Sequence, residues 1–152
     1  MDDLDQLYEL VEESKNNYFQ LVLVVGRAGT NKTKLLKHYC HTHGFSITNL
    51  SLELSSRLLE LSSRSRALRA SSIFTEIINQ NEFPIVLDNI EVLFLNDLKL
   101  NPLSLLQNLS RNGPIIASWP GYIDNSKLYY AEIGHQEYKE YDIGGIRSID
   151  LN

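Results

Sequence analysis

Residues 26–33 combine glycine, lysine and threonine at a spacing that suits phosphate binding. The segment reads Gly26, Arg27, Ala28, Gly29, Thr30, Asn31, Lys32 and Thr33, with Lys34 following it. This is the P-loop pattern, in which glycine precedes four residues, a second glycine, lysine, and serine or threonine. In such a loop backbone N–H groups hold phosphates, so we expect Lys32 to reach the β and γ phosphates and Thr33 to bind Mg²⁺. The segment predicts a site for ATP, or another nucleoside triphosphate, with magnesium.

Asn31 is the departure from the pattern, because it stands in the place of the second glycine. That position commonly needs a left-handed or unhindered backbone. Asparagine is the next best residue after glycine for this conformation, so we expect the loop to form at a small cost. A simpler interpretation remains open, in which the segment is a strand-to-helix turn and Lys32 is only solvated.

A carboxylate follows a second apolar run, at residues 85–88. A nucleotide site of this kind needs a carboxylate near magnesium at the end of a neighbouring strand, and Asp88 is expected to hold Mg²⁺ through water. A helix N-cap is the other role open to it. Asn89 stands where hydrolysing enzymes of the additional-strand class place a glutamate, and an asparagine cannot accept a proton. Either Glu91 substitutes as the base, or hydrolysis is slow, or the site is a nucleotide-binding switch.

Two further polar residues lie around the fourth apolar run, at residues 115–118. Ser118 stands where related ATPases place a polar residue that senses the γ-phosphate, although serine is also common at strand ends. Arg111 ends the preceding helix and either reaches a neighbouring subunit's nucleotide or stabilises its own helix C-terminus. Trp119 either stacks on a base or a partner, or fills the edge of the core.

A basic patch stands out in an acidic chain. Arg64, Arg66 and Arg69 lie among serines, whereas the chain as a whole has a net charge of −5. These arginines suit contact with phosphates, either of DNA or of a nucleotide on a neighbouring protomer, and a solvated helix face is the alternative. With so few positive charges, binding to DNA is expected to be weak and dependent on salt.

The elements that must position these residues follow from hydrophobic periodicity and turn signals. Helices are predicted for residues 1–18, for residues 32–43 before Gly44, for two pieces around residues 58–61 and 68–78, and after Pro102. Strands are predicted for residues 21–25, 46–54, 85–88 and 115–118, and for 128–133, 138–143 and 146–151 in a β-rich tail that covers residues 124–152. The fold class is α/β, a P-loop NTPase-like three-layer sandwich with a mainly parallel central sheet and no helical lid.

Composition limits the remaining classes of protein. The 152 residues are 43% hydrophobic and 22% charged, which is typical of one ordinary globular domain over residues 1–152. The longest apolar run, residues 21–25, is far shorter than the roughly 20 residues of a membrane span. The acidic N-terminus is unlike a signal peptide, and Cys40 has no second cysteine to pair with. We therefore expect a cytoplasmic protein with no membrane contact.

Five blocks along the chain resemble one family. They are LSLELSSRLLEL at 50–61, LDNIE at 87–91, PLSLLQNLSRN at 102–112, SWPG at 118–121 and YAEIGHQEY at 130–138. Together they resemble BrxF, the small P-loop protein of type III bacteriophage-exclusion (BREX) defence systems. The resemblance implies phosphate roles for Gly26, Gly29, Lys32 and Thr33 and a magnesium role for Asp88, whereas Asn31 departs from the family's usual glycine. It also implies antiviral work beside a helicase, a DNA methyltransferase, a phosphatase-like protein and a large ATPase.

Two hypotheses of different classes follow. In the first, the chain is an ATPase or a nucleotide-dependent assembly switch that forms a homo-oligomer, because too little chain follows the core strands to build a helical lid over the nucleotide. In the second, it is a non-catalytic adaptor with a degenerate P-loop that holds other defence components together. A small-molecule kinase is disfavoured, since no acceptor-binding lid is evident.

Overall fold

The computed structural model describes residues 2–131 and 138–152. Its helices are α1 (Asp3–Ser14), α2 (Lys32–His43), α3 (Leu50–Leu58), α4 (Ser63–Asn79) and α5 (Pro102–Leu109). Its strands are β1 (Leu21–Gly26), β2 (Ile47–Asn49), β3 (Ile85–Asp88), β4 (Ile115–Asp124), β5 (Lys127–Tyr130), β6 (Lys139–Asp142) and β7 (Arg147–Asp150). Two short 3₁₀ turns, Glu91–Phe94 and Asn96–Leu98, follow β3.

Five parallel strands form the central sheet in the order β2-β3-β4-β1-β7. β4 lies between β1 and β3, with Ile115 opposite both Leu21 and Ile85. Parallel neighbours bring their carboxyl ends to one edge of the sheet, so the segments that follow β1, β3 and β4 meet there. The prediction of an α/β fold with a mainly parallel central sheet is confirmed.

Helices cover both faces of the sheet, and β1 is buried along its whole length for that reason. Val22 and Val24 pack with α1 and α2 on one face. Leu21, Leu23 and Val25 pack with α3, α4 and α5 on the other. The continuous apolar run at residues 21–25 therefore contributes to the hydrophobic cores on both faces of the sheet.

β4 continues beyond the parallel sheet, which the prediction of a strand ending at Ser118 did not include. From Gly121 onward it forms an antiparallel hairpin with β5, and β6 pairs with β5 in turn. Trp119 is fully buried at this junction, and its Nε1 donates a 3.0 Å hydrogen bond to the Tyr129 carbonyl. Trp119 is thus a core residue, which agrees with the second of its two interpretations.

The predicted strand at residues 46–54 is wrong for most of its length. β2 ends at Asn49, and α3 starts at the next residue. Leu50 and Leu54 are buried at helical spacing while Leu52 is 67% exposed, so the period is 3.6 rather than 2. The Asn49 carboxamide caps α3 by accepting a hydrogen bond from the Leu52 N–H.

The predicted helix around residues 58–61 is wrong, because α3 ends at Leu58 and the chain turns before α4 starts at Ser63. The remaining helices occur where predicted, with changes at their ends. α1 covers residues 3–14 rather than 1–18 and is capped by Asp2. α2 has the predicted bounds, and Gly44 ends it with a φ of 76°. In the tail, β5 ends at Tyr130, and residues 132 and 133 of the predicted strand 128–133 lie outside the described part of the chain. No helix within residues 2–131 and 138–152 is long and apolar enough to cross a bilayer.

Candidate functional site

The loop between β1 and α2 is held by its own side chains. The Thr30 hydroxyl donates a 2.6 Å hydrogen bond to the Arg27 carbonyl, closing the loop into a tight ring. A Cβ at Gly26 would collide with this hydroxyl, so only glycine fits there without a shift. Gly29 has a φ of 85° and Asn31 has φ 67° and ψ 32°. The left-handed backbone predicted for Asn31 is confirmed, and it allows α2 to start at Lys32.

Lys32 folds back over this loop. Its Nζ donates hydrogen bonds of 2.6 Å to the Gly26 carbonyl and 3.0 Å to the Arg27 carbonyl. Burial lowers the pKa of Lys32, while the nearby charges of Glu91 and Asp88 act in the opposite direction. The ammonium group therefore lies between loop carbonyls and two acids, where a phosphate would offer it a stronger acceptor.

Asp88 joins three elements through hydrogen bonds to its buried carboxylate. The Thr33 hydroxyl on α2 donates to Oδ2 at 2.6 Å, and the Ser118 hydroxyl on β4 donates to Oδ1 at 2.7 Å. Asp88 is only 5% exposed. Thr33 and Ser118, both predicted site residues, thus each contact Asp88, because β4 lies between the strand before the loop and the strand that ends at Asp88.

An open cleft of about 540 Å³ lies in front of these residues. Its walls are formed by Gly29, Asn31, Lys32, Thr33, Lys34, Lys37, Asp88, Asn89, Glu91 and Ser118. All but Lys37 were predicted from sequence. Lys37 follows Lys34 by three residues and so lies on the same helix face, a spacing that was available in the sequence.

Asn89 and Glu91 form the wall beyond Asp88. Asn89 has a φ of 53°, and its carbonyl accepts hydrogen bonds from the Ser51 N–H at 2.9 Å and from the Ser51 hydroxyl. These bonds fix the end of β3 to the start of α3, a role for Ser51 that sequence analysis missed. Glu91, at the start of a 3₁₀ turn, is exposed and lines the cleft near Lys32.

The outer side of the loop is covered by the hairpin and by the segment after β7. The Arg27 N–H donates a 2.9 Å hydrogen bond to Asn152 Oδ1, and the Arg27 guanidinium lies 4.3 Å from the centre of the Tyr122 ring. Asn152 Nδ2 also donates to the Gly121 carbonyl. Arg27 and the exposed Ala28 do not line the cleft, although both belong to the predicted phosphate-binding segment.

Arg111 lies away from the cleft. It follows α5 at the amino edge of the sheet, while the loop lies at the carboxyl edge, and its guanidinium is 4.7 Å from the centre of the Tyr18 ring. Within one chain Arg111 therefore does not reach the site, and its role toward a neighbouring subunit's nucleotide stays a prediction. Arg111 lies between the end of α5 and the start of β4, and in a parallel sheet the strand starts lie at the edge opposite to the strand ends.

The three arginines of the basic patch have different surroundings. Arg66 Nε donates to the Leu58 carbonyl at 2.9 Å, and its NH2 group donates to the Leu59 carbonyl at 3.2 Å, so Arg66 caps the C-terminus of α3. Arg64 and Arg69 are exposed on α4. None of the three lines the cleft of their own chain.

The oxygen donors at the cleft suit a hard divalent cation. Thr33 and Asp88 supply a hydroxyl and a carboxylate, which are the ligand types that Mg²⁺ prefers. Both line the cleft, where a phosphate oxygen and water would complete the coordination. The residues present therefore fit the predicted magnesium.

Comparisons with known proteins give limited information. No protein-family model and no curated protein matches the chain. Among solved structures, "Structure of C. elegans PCH-2" is similar, with 12% sequence identity and a TM-score of 0.41. The similarity covers 97% of this chain but only 41% of that one, so the chain spans less than half the length of this neighbour.

Proposed function

We propose that the chain binds ATP with Mg²⁺ at the cleft, as a P-loop NTPase-like subunit. The observation that carries this proposal is the Asp88 carboxylate, held on one oxygen by Thr33 and on the other by Ser118, beside a loop over which Lys32 is folded. The alternative, a strand-to-helix turn with no ligand, gives no reason for the buried Asp88 carboxylate to be bonded to Thr33. In this proposal the fold is a three-layer sandwich of the P-loop type.

The residues have separate tasks in binding. Loop N–H groups and the N-terminus of α2 face the phosphates, and Lys32 exchanges its loop carbonyls for phosphate oxygens. Thr33 and Asp88 hold Mg²⁺, which when bound neutralises charge on the phosphates. Ser118 fixes the orientation of Asp88. Lys34 and Lys37 add positive charge along one wall of the cleft.

In the proposed activity, ATP hydrolysis is slow compared with ATP binding. Asn89 cannot act as a general base, and its backbone is fixed by Ser51. Glu91 is the carboxylate on the cleft wall that is able to accept a proton from water. A second copy of the chain would then supply cationic groups, from Arg111 or from Arg64 and Arg69, because these residues do not line their own cleft. Nucleotide binding would thereby act as an assembly switch.

The biological setting that we propose is prokaryotic defence against phages. The supporting observation is the resemblance to BrxF, whose LDNIE block includes Asp88 and whose SWPG block starts at Ser118. Both residues lie at the proposed nucleotide site. The last resembling block, at 130–138, includes residues 132–137 and so lies mostly outside the described residues. The proposed partners are further copies of the chain and the helicase, methyltransferase, phosphatase-like protein and large ATPase of such a system.

The test is equilibrium binding of MgATP by calorimetry, on the unaltered protein and on Lys32→Ala. We expect Lys32→Ala to weaken ATP binding at least about tenfold, a loss of about 1.4 kcal/mol. Lys139→Ala is the matched control, since Lys139 is an exposed lysine on β6 that does not line the cleft. Circular dichroism checks that all three proteins are folded.

Two results would contradict the proposal. One is equal ATP affinity in the unaltered protein and in Lys32→Ala, and the other is no ATP binding by any folded form. The second result would favour the adaptor hypothesis, in which the P-loop remains only as structure and partners bind to the acidic α1 and the tyrosine-rich tail.

A further inference from the structure

A second cavity lies beside the phosphate cleft, on the side of the loop that faces α1. Its volume is about 320 Å³. Asn31 and Lys34 line both cavities, so the two adjoin at the start of α2. The other walls come from the start of α1, from α2 and from the segment after β7. Apart from Thr30, Asn31 and Lys34, its lining residues have no part in the proposed phosphate binding.

The chemistry of the wall changes from one cavity to the other. Three lysines and no leucine line the phosphate cleft. Of these lysines only Lys34 also lines the second cavity, where Leu4, Leu35 and Leu151 lie beside five other polar residues, Asp2, Asp3, Thr30, Asn31 and His38. Leu35 is 9% exposed, and Leu4 and Leu151 are half-buried. The three leucines offer an apolar surface that an organic ring can contact, the polar residues around them offer hydrogen bonds, and the volume falls within the usual range for small ligands.

The side of the cleft that faces the hairpin of β4 and β5 is occupied by contacts within the protein. On that side the Arg27 N–H is bonded to Asn152 and the Arg27 guanidinium covers the Tyr122 ring. A ligand whose phosphates touch Lys32 and Thr33 would displace these contacts if its other end extended toward the hairpin. The side toward α1 needs no such displacement, because the second cavity is already open there.

We infer that this second cavity binds the nucleoside part of the ligand, its ribose and base. The inference rests on the proposed function, since it takes the phosphates to lie in the first cleft. Leu4, Leu35 and Leu151 contact the base, and the exposed Asp3 carboxylate accepts hydrogen bonds from ribose hydroxyl or base amino groups. Lys32 and Lys37 at one end and the leucines and Asp3 at the other orient the nucleotide in a single direction.

The experiment compares two ligands that share only the phosphates. MgATP and magnesium with inorganic triphosphate are titrated by calorimetry into the unaltered protein, Leu4→Trp, Leu4→Ala and Lys32→Ala. Leu10→Trp is the matched control, because Leu10 is also half-buried on α1 but does not line the cavity. Thermal melting checks that each variant is folded, and Leu4→Ala covers the case in which the larger side chain disturbs α1.

We expect Leu4→Trp to weaken ATP binding at least about tenfold and Leu4→Ala to weaken it severalfold, with triphosphate binding unchanged in both. Leu10→Trp should alter neither ligand. Unchanged ATP affinity in both Leu4 variants overturns the inference, as does a parallel loss for both ligands. If Lys32→Ala still weakens both ligands in that case, the phosphate site stands and only the nucleoside site fails. No binding of either ligand by the unaltered protein overturns both proposals.

Discussion

The Ser118 hydroxyl donates a 2.7 Å hydrogen bond to Asp88 Oδ1 between neighbouring strands, and both residues are buried. Removing this donor leaves one carboxylate oxygen without its partner in a buried position. We expect Ser118→Ala to lower the free energy of unfolding by about 1–3 kcal/mol. Urea unfolding measures the change. Ser56→Ala is the control, since the Ser56 hydroxyl is exposed and bonds only within α3. Equal stability of the two variants would show that the Asp88 bond adds nothing.

Asn31 provides a test of backbone conformation. Its φ of 67° is costly for residues other than glycine and asparagine. We expect Asn31→Ala to destabilise the fold by about 1 kcal/mol, and Asn31→Gly to match or exceed the unaltered protein. ATP affinity should follow the same order, because the loop presents its N–H groups only in this conformation.

Asn125 is the matched control for Asn31, since it has a φ of 50° in the turn between β4 and β5. Asn125→Ala and Asn125→Gly should reproduce the order of stabilities and leave ATP binding unchanged. An ATP affinity that depends on residue 125 as strongly as on residue 31 would mean that stability, not loop geometry, controls binding.

Tyr39 gives a prediction for alkaline pH. Burial raises the pKa of Tyr39 from 10.0 to about 12, with a smaller contribution from Glu12. As the pH rises, the Tyr39 hydroxyl therefore loses its proton at a lower pH in the unfolded chain than in the folded protein. The contribution of Tyr39 to the free energy of unfolding is complete below pH 10 and is lost as the pH rises through 12. In urea unfolding at pH 8 and pH 11, Tyr39→Phe should lose less stability than the unaltered protein over this interval. Tyr18→Phe, at an exposed position, should behave as the unaltered protein does. Identical pH dependence in all three would contradict the assignment.

Gly121 is required by the close approach of two hairpin strands. A Cβ at this position would collide with the Tyr129 carbonyl, which also accepts the Trp119 hydrogen bond. We expect Gly121→Ala to lower the free energy of unfolding by about 1–3 kcal/mol. The emission of Trp119, the single tryptophan, should shift to longer wavelength. Gly144→Ala is the control, because a Cβ there has open space. A Gly121→Ala protein with unaltered emission and stability would argue against the hairpin register.

The parts of the fold that sequence predicts are those with one dominant local signal. The β-branched run of β1 and the acidic end of β3 are buried on both sides, so their composition alone marks them as strands. α3 was missed because its leucines also alternate with polar residues over a short stretch. The Asn49 cap and the burial of Leu50 and Leu54 identify this segment as a helix. Both depend on packing against the rest of the chain.

In the candidate site, too, some residues could be predicted from sequence and some contacts could not. Lys32, Thr33, Asp88 and Ser118 were predicted because each ends a strand or starts a helix, and a parallel sheet brings such ends together. The contacts of Ser51 with Asn89 and of Asn152 with Arg27 were not predicted. Each joins residues that are distant in sequence through a single hydrogen bond, and a single sequence carries no periodic signal for such a pair.

The order of the strands has a consequence for the time course of folding. β1 is the strand that carries the loop, yet neither of its neighbours, β4 and β7, is close to it in sequence. During synthesis at roughly 5–20 residues per second, β1 therefore waits for several seconds before β4 emerges. Its apolar run stays unpaired throughout this interval, a period in which the nascent chain is open to aggregation or to a chaperone.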